Sequence, residues 1–136
     1  MPHITLKNDE IISQVIIVPY YIHLRADGIL YVRITPEKEE TVELLKITVA
    51  KIGEMVNYKK VPLLLNHENS TMPGKAIREY WAKKESNPYS KADAFMINSD
   101  ILRLVGNFYL KVNKPERPTK MFTDEQEAIK WLSVFI

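Results

Sequence analysis

The 136-residue sequence has no cysteine, only four glycines and no long apolar run. Without cysteine it has no disulfide framework, no thiolate metal site and no thiol nucleophile. Four glycines cannot form a Gly-rich phosphate-binding loop, and none of the glycine motifs that bind phosphates or dinucleotides occurs. The longest apolar segment, 15–22, is far shorter than the roughly 18 residues of a membrane-spanning helix. The first ten residues are too polar for a signal peptide, so we expect a cytoplasmic location.

The sequence also lacks a dominant charge. Nineteen Lys and Arg residues stand against seventeen Asp and Glu residues, which leaves a formal net charge of +2. The basic residues are spread over several segments, so we predict no nucleic-acid interface. The hydrophobic fraction of 46% is typical of a globular chain of this length with a single core. We predict one domain over residues 20–136, preceded by residues 1–19 as an N-terminal extension or an additional strand.

Short apolar segments alternate with helical patterns along the chain. Segments 20–25 and 29–35 flank Asp27-Gly28, a pair typical of a tight hairpin between antiparallel strands. Three further strands, each preceded and followed by a helix, complete the order β-β-α-β-α-β-α-β-α. This alternation predicts an α/β fold with a mixed, mostly parallel sheet, right-handed crossovers and an N-terminal antiparallel hairpin.

Polar residues mark three predicted helix starts. Thr41 precedes the first helix, and Ser99 or Asp100 precedes the third. Before the last helix, Thr123 and Gln126 have the spacing of a capping box, in which the threonine hydroxyl accepts from the Gln126 amide.

Three segments of this sequence resemble the STAS/SpoIIAA-like superfamily, above all its small stand-alone bacterial domains. These segments are 27–32, 98–99 together with 105–110, and 118–132. The resemblance implies a SpoIIAA-like fold and a non-enzymatic role in protein interaction or regulation. It also implies a homodimer, with a regulatory partner such as a kinase or an anti-sigma-like protein. Proteins that share a fold can have different activities, so the function depends on the residues of a specific site.

In the anti-sigma-factor antagonists of that superfamily, a serine in the loop after a central strand is phosphorylated to switch partner binding. The matching positions here are Ser70 and Thr71, which makes them the phosphorylation candidates. A phosphate at a helix N-terminus is favourable, because free amides and the helix dipole both attract negative charge. Ser and Thr are equally ordinary helix caps, which is the structural alternative.

The same loop supplies the predicted binding residues, at the C-terminal end of a strand where α/β folds commonly bind ligands. These residues are Asn66, His67, Glu68 and Asn69. A small enzyme would use His67 as a general base with Ser70 or Glu68 nearby. The alternative is an exposed loop histidine. We expect the protein not to be an enzyme, because the sequence has no recognisable set of catalytic residues. We also expect no bound metal or cofactor, because the three histidines lack the spacing of metal ligands.

The third helix has more apolar residues than one contact with a sheet requires. We predict that Arg103, Gly106, Asn107 and Tyr109 form a dimer face or a ligand face on it. Gly106 in mid-helix costs about 1 kcal/mol in helix propensity, which indicates either close packing or the approach of a ligand.

A second function remains open beside the interaction domain. At the level of the whole fold, the predicted geometry resembles CRAL-TRIO-type lipid-binding domains, which implies a small-molecule or lipid binder. An apolar cavity would then be lined by a group of large side chains. These are Trp81, Phe95, Met96, Phe108 and Tyr109.

Overall fold

A computed structural model describes residues 7–68 and 73–136. Its strands are β1 (Ile11–Ile17), β2 (Tyr20–Arg25), β3 (Leu30–Ile34), β4 (Val61–His67), β5 (Ser90–Met96) and β6 (Thr119–Phe122). Its helices are α1 (Val42–Met55), α2 (Lys75–Trp81), α3 (Asp100–Phe108) and α4 (Glu125–Leu132). A π-helical turn, Tyr109–Asn113, continues α3. Within the described residues, no helix is both long and apolar enough to cross a membrane.

The six strands form one mixed sheet in the order β1-β2-β3-β4-β5-β6. The pairs β1–β2 and β2–β3 are antiparallel, whereas β3–β4, β4–β5 and β5–β6 are parallel. The α/β class, the mixed sheet and the antiparallel hairpin are therefore confirmed. At the hairpin turn Gly28 has a φ of +89°, and the amide of Ile29 donates to Asp27 Oδ1 over 3.1 Å.

The helices divide unequally between the two faces of the sheet. Sequential parallel strands with right-handed crossovers place their connecting helices on one face, here α1, α2 and α3. Side chains of α1, α2 and the π turn join Leu63 and Leu65 of β4 in the larger core cluster. After the last strand, α4 folds back over the other face, where Leu64 lies with Ala128 and Leu132. Strand β4 is thus buried from both sides, as its nearly continuous apolar sequence predicts.

Two of the predicted helix caps are present, and the third is wrong. The Leu44 amide donates to Thr41 Oγ1, and the Leu102 amide donates to Ser99 Oγ, each over 3.1 Å. At α4, the Gln126 amide donates to Asp124 Oδ1 over 2.8 Å, so the cap is Asp124 and the helix begins after it. A carboxylate at this position also interacts favourably with the helix dipole, which a threonine hydroxyl does not.

A buried ion pair connects α2, β5 and the segment before β6. Asp93 is fully buried and accepts hydrogen bonds from Arg117 Nε (2.6 Å), Trp81 Nε1 (3.1 Å) and Ser90 Oγ (2.6 Å). Arg117 also donates to the carbonyl oxygens of Trp81 and Lys83. Burial raises the pKa of Asp93, and the charge of Arg117 and the three hydrogen bonds oppose that rise.

Candidate functional site

A pocket lies between the sheet and α1, α2 and α3, at the C-terminal ends of the parallel strands. Glu40 lies on the connection from β3 to α1, His67 ends β4, and Ile97 lies on the connection from β5 to α3. Pro73, just before α2, also contributes to its wall. The C-terminal ends of parallel strands are where α/β sheets commonly bind their ligands.

The pocket wall is mainly apolar. The wall includes Leu45, Ile52, Ile77, Leu65 and Val105. The cavity volume is about 70 Å³. Of the large side chains predicted to line a cavity, Trp81, Phe95, Met96 and Tyr109 do so, whereas Phe108 is 47% exposed on the outside of α3. The lining of the pocket is therefore that of a site for a small, largely apolar molecule.

A buried polar cluster borders this pocket. His67 Nε2 lies 3.3 Å from Glu40 Oε2, and the Tyr20 hydroxyl donates to Glu40 Oε1 over 2.7 Å. The side chains of His67 and Glu40 are each 7% exposed. Burial, reinforced by the charge of Glu40, raises the pKa of Tyr20, so its hydroxyl remains protonated and donates. Both oxygens of Glu40 therefore have a partner.

The contact with Glu40 fixes the orientation of the His67 ring beside the pocket. A carboxylate oxygen accepts hydrogen bonds, so Nε2 is the ring nitrogen of His67 that donates to Glu40. The ring also stacks on Phe95, with centroids 6.3 Å apart and planes inclined by 15°. In residues 7–68 and 73–136, no hydroxyl group is hydrogen-bonded to the ring. The cluster therefore orients the imidazole of His67 with a carboxylate, Glu40.

The predicted binding loop divides between the two faces of the sheet. Consecutive side chains alternate along a strand, so His67 faces the pocket while Asn66 turns to the other side. There Asn66 Nδ2 donates to the Tyr31 hydroxyl over 3.1 Å, and Glu68 pairs with Arg33 at 2.8 Å. The carboxylate that contacts His67 is that of Glu40. Asn69, together with the phosphorylation candidates Ser70 and Thr71, lies outside the described residues.

Two hydrogen-bond donors beside the pocket have no partner. The hydroxyl of Tyr109, a residue that is 5% exposed, and Nε of Arg78 are both buried and unpaired within the described chain. Burial, reinforced by the charge of Asp93, raises the pKa of Tyr109, so this hydroxyl also stays protonated. A buried donor without an acceptor costs about 1–3 kcal/mol, so a ligand atom that accepts from it is favoured.

The four residues predicted to form one face of α3 do not lie together. Arg103 and Asn107 are exposed, whereas Gly106 and Tyr109 face the interior and line the pocket. A Cβ atom at Gly106 would lie 3.1 Å from Sδ of Met121, which accounts for the glycine by close packing. Four other side chains form an exposed apolar stripe on the outer surface of this helix and its π turn. They are Ile101, Leu104, Phe108 and Val112.

The described residues also contain no group of three His, Asp or Glu side chains able to hold a metal ion. His67 has one carboxylate beside it, and Asp93 is occupied by Arg117.

Comparisons with known proteins give a family but no activity. No protein of curated function matches the sequence. A protein of unknown function from Arthrobacter sp. FB24, whose crystal structure is known, is 23% identical; the alignment covers 83% of this chain and 98% of that one, with a TM-score of 0.30. Residues 22–136 match the model of a family described as a domain of unknown function, DUF7793. Since this match spans most of the sequence, the chain belongs to the DUF7793 family.

Proposed function

We propose that this protein binds a small, mainly apolar molecule in the pocket between the sheet and α1–α3, within a SpoIIAA-like fold. The buried, unpaired hydroxyl of Tyr109 is the observation that carries the proposal. Buried polar groups in folded proteins nearly always have a partner, so a donor without one in the described chain, on a residue that lines the pocket, indicates a missing acceptor. This function corresponds to the CRAL-TRIO-like alternative that the sequence suggests.

The surroundings of the pocket support this proposal. The cluster of Tyr20, Glu40 and His67 is internally paired, so the His67 ring is held in place before a ligand arrives. Preorganised walls lower the entropy that binding costs. The aromatic rings of Phe95 and Tyr109 meet edge to face at 5.7 Å and provide apolar contact area beside the polar groups.

Filling the pocket tests the proposal. Val105 lines the pocket, so Val105→Phe places a larger side chain in the space a ligand needs. We expect the wild-type chain to bind members of a library of small apolar molecules, detected by ligand-observed NMR, and Val105→Phe to reduce their affinity at least tenfold. The matched control is Leu104→Phe, which introduces the same side chain at a neighbouring position that is 71% exposed. It should leave affinity unchanged.

Native mass spectrometry of the protein purified from its own cells provides a second readout. A co-purified mass should accompany the wild-type and Leu104→Phe chains and be missing from Val105→Phe. Binding that is absent from the wild type, or that is equal in all three chains, would refute a ligand site in this pocket.

A second candidate function is the STAS-like protein-interaction or regulatory domain, acting as a homodimer. The exposed stripe on α3 favours it, because Ile101, Leu104, Phe108 and Val112 recur every three or four residues on one surface. Phosphorylation of Ser70 or Thr71 would belong to this role as the switch of partner binding, and phosphopeptide mapping of protein from its native cytoplasm tests it.

Sedimentation velocity tests the homodimer. We expect a dimer in the wild type and a monomer in Leu104→Glu, since a buried, unpaired charge at an apolar interface costs several kcal/mol. Ile47→Glu is the control, because Ile47 is a similarly exposed apolar residue on α1. A wild-type monomer at high micromolar concentration, or a dimer that survives Leu104→Glu, would contradict this interface.

A further inference from the structure

We propose that the ligand is a monocarboxylic acid with an apolar body, whose carboxylate pairs with Arg78 while the body fills the pocket. This inference rests on the proposed function and adds the charge and chemical class of the ligand.

The guanidinium of Arg78 is held by two contacts, but its Nε–H group has no acceptor in the described chain. Its Nη1 atom donates to the carbonyl oxygen of Pro73 over 2.7 Å, and its Cζ atom lies 5.3 Å from the centre of the Phe108 ring. Its Nε atom is buried with no acceptor in the described chain. A guanidinium held by two contacts, with one buried N–H free, is suited to a charged acceptor, and charge-assisted hydrogen bonds are roughly twice as strong as neutral ones.

Glu40, the carboxylate among the described residues of the pocket wall, is already paired. Its two oxygens contact Tyr20 and His67. Asp93, the other nearby acid, is paired with Arg117. Within residues 7–68 and 73–136, Arg78 therefore has no carboxylate partner, and a ligand carboxylate provides both an acceptor and the opposite charge.

The remaining wall excludes other classes of ligand. An amine would bring further donors and a positive charge to a site where Arg78 and Tyr109 already have donors to spare. A dicarboxylic acid would force its second charge against the apolar wall, where an unpaired charge is strongly disfavoured. A single acidic group on a hydrocarbon or aromatic body fits both requirements.

Three probes of similar size separate charge from apolar contact: hexanoate, 1-hexanol and hexylamine. Their affinities for the wild-type chain are measured by titration calorimetry at low ionic strength. We expect hexanoate to bind at least tenfold more tightly than 1-hexanol, and hexylamine to bind most weakly. A tenfold ratio corresponds to about 1.4 kcal/mol, which is modest for a hydrogen bond to a charged group.

Variants assign the effect to Arg78. Arg78→Gln should reduce the preference for hexanoate over 1-hexanol to less than about threefold. Arg103→Gln makes the same change at an exposed residue of α3 and should keep the full preference. Arg78→Lys keeps the charge and removes the Nε donor, so we expect an intermediate preference. Thermal unfolding of each variant shows whether a loss of binding reflects a loss of folding.

The outcomes distinguish this inference from the function on which it rests. Equal binding of hexanoate and 1-hexanol would overturn the acidic ligand and leave a neutral one in the same pocket. A preference that persists in folded Arg78→Gln would overturn the role of Arg78. If no probe binds and the library in the preceding section also fails, the pocket is not a ligand site and both proposals are wrong. The comparison of probes on the wild type decides the question even where a variant does not fold.

Discussion

Replacing Arg117 with methionine is expected to lower the free energy of unfolding by about 3–5 kcal/mol, the range for breaking a buried ion pair. Asp93 is fully buried, and Arg117 Nε is its closest partner at 2.6 Å. Without the guanidinium, the carboxylate keeps only Trp81 and Ser90, and the carbonyl oxygens of Trp81 and Lys83 each lose one donor. The midpoint of thermal unfolding should fall by about 10 °C or more.

The stability that Arg117→Met loses relative to the wild type should increase as the pH rises. Burial raises the pKa of Asp93 and Arg117 opposes the rise, so the Arg117→Met variant has an even higher pKa at Asp93. A carboxyl whose pKa is raised by folding takes up protons on folding, and its contribution to stability falls as pH rises above the unfolded pKa. The deficit of the variant relative to the wild type should therefore be smaller at pH 5 than at pH 8.

Denaturant unfolding at the two pH values measures both effects. Arg103→Met serves as the matched control, since it removes an exposed arginine and should change stability by less than about 0.5 kcal/mol. A deficit below 1 kcal/mol for Arg117→Met, or one that grows as the pH falls, would show that the pair does not support the fold in the way its geometry indicates.

Leu64→Ala should cost about 3–5 kcal/mol, near the upper end for such a truncation. Leu64 has no exposed surface and lies in the smaller core cluster, between β4 and α4. Three of its cluster neighbours are Ala92, Ala94 and Ala128, whose short side chains cannot extend into the space left by the removed atoms. The cost of such a substitution rises with the volume of cavity that remains, so a site with rigid, small neighbours loses most.

Equilibrium unfolding in urea, compared with Leu104→Ala at the exposed stripe of α3, measures this cost. The control should change stability by less than about 0.5 kcal/mol, because its side chain is largely in water already. If Leu64→Ala costs less than 2 kcal/mol, then α4 moves to close the cavity and the packing on that face is less rigid than described.

Much of the fold follows from local signals. The Asp27-Gly28 pair specifies its hairpin because glycine tolerates the positive φ found there. Thr41 and Ser99 cap their helices because each hydroxyl needs only an amide three residues further on. Local signals fail at Thr123, where the adjacent Asp124 competes for the same role and caps α4 instead.

The partners at the site are not local, and this is why the sequence did not reveal them. His67 and Glu40 are 27 residues apart in the chain. The parallel pairing of β3 with β4 sets Ile34 beside His67 and so brings the connection carrying Glu40 within reach. Asp93 and Arg117 are brought together in the same way by neighbouring strands. The spacing of residues along one sequence does not predict such pairs.

Helix geometry explains why the four residues predicted to form one face of α3 do not lie together. Successive helical residues are rotated by about 100°, so Arg103 and Asn107 lie on one side and Gly106 and Tyr109 on another. A broad apolar pattern hides this division, since one stripe contacts the sheet and the other contacts solvent. The interior pair lines the pocket, and the outer stripe remains available to a partner.

The unequal coverage of the sheet has a practical consequence. Helix α4 packs against β4, β5 and β6, so the part of that face formed by β1 and β2 lies beyond it, on the opposite side of the sheet from the pocket. Gln14 of β1 is exposed there, paired with His23 of β2. Because the chain has no cysteine, Gln14→Cys would introduce a unique thiol for a fluorophore or spin label. A label at this position would lie outside every described wall of the pocket.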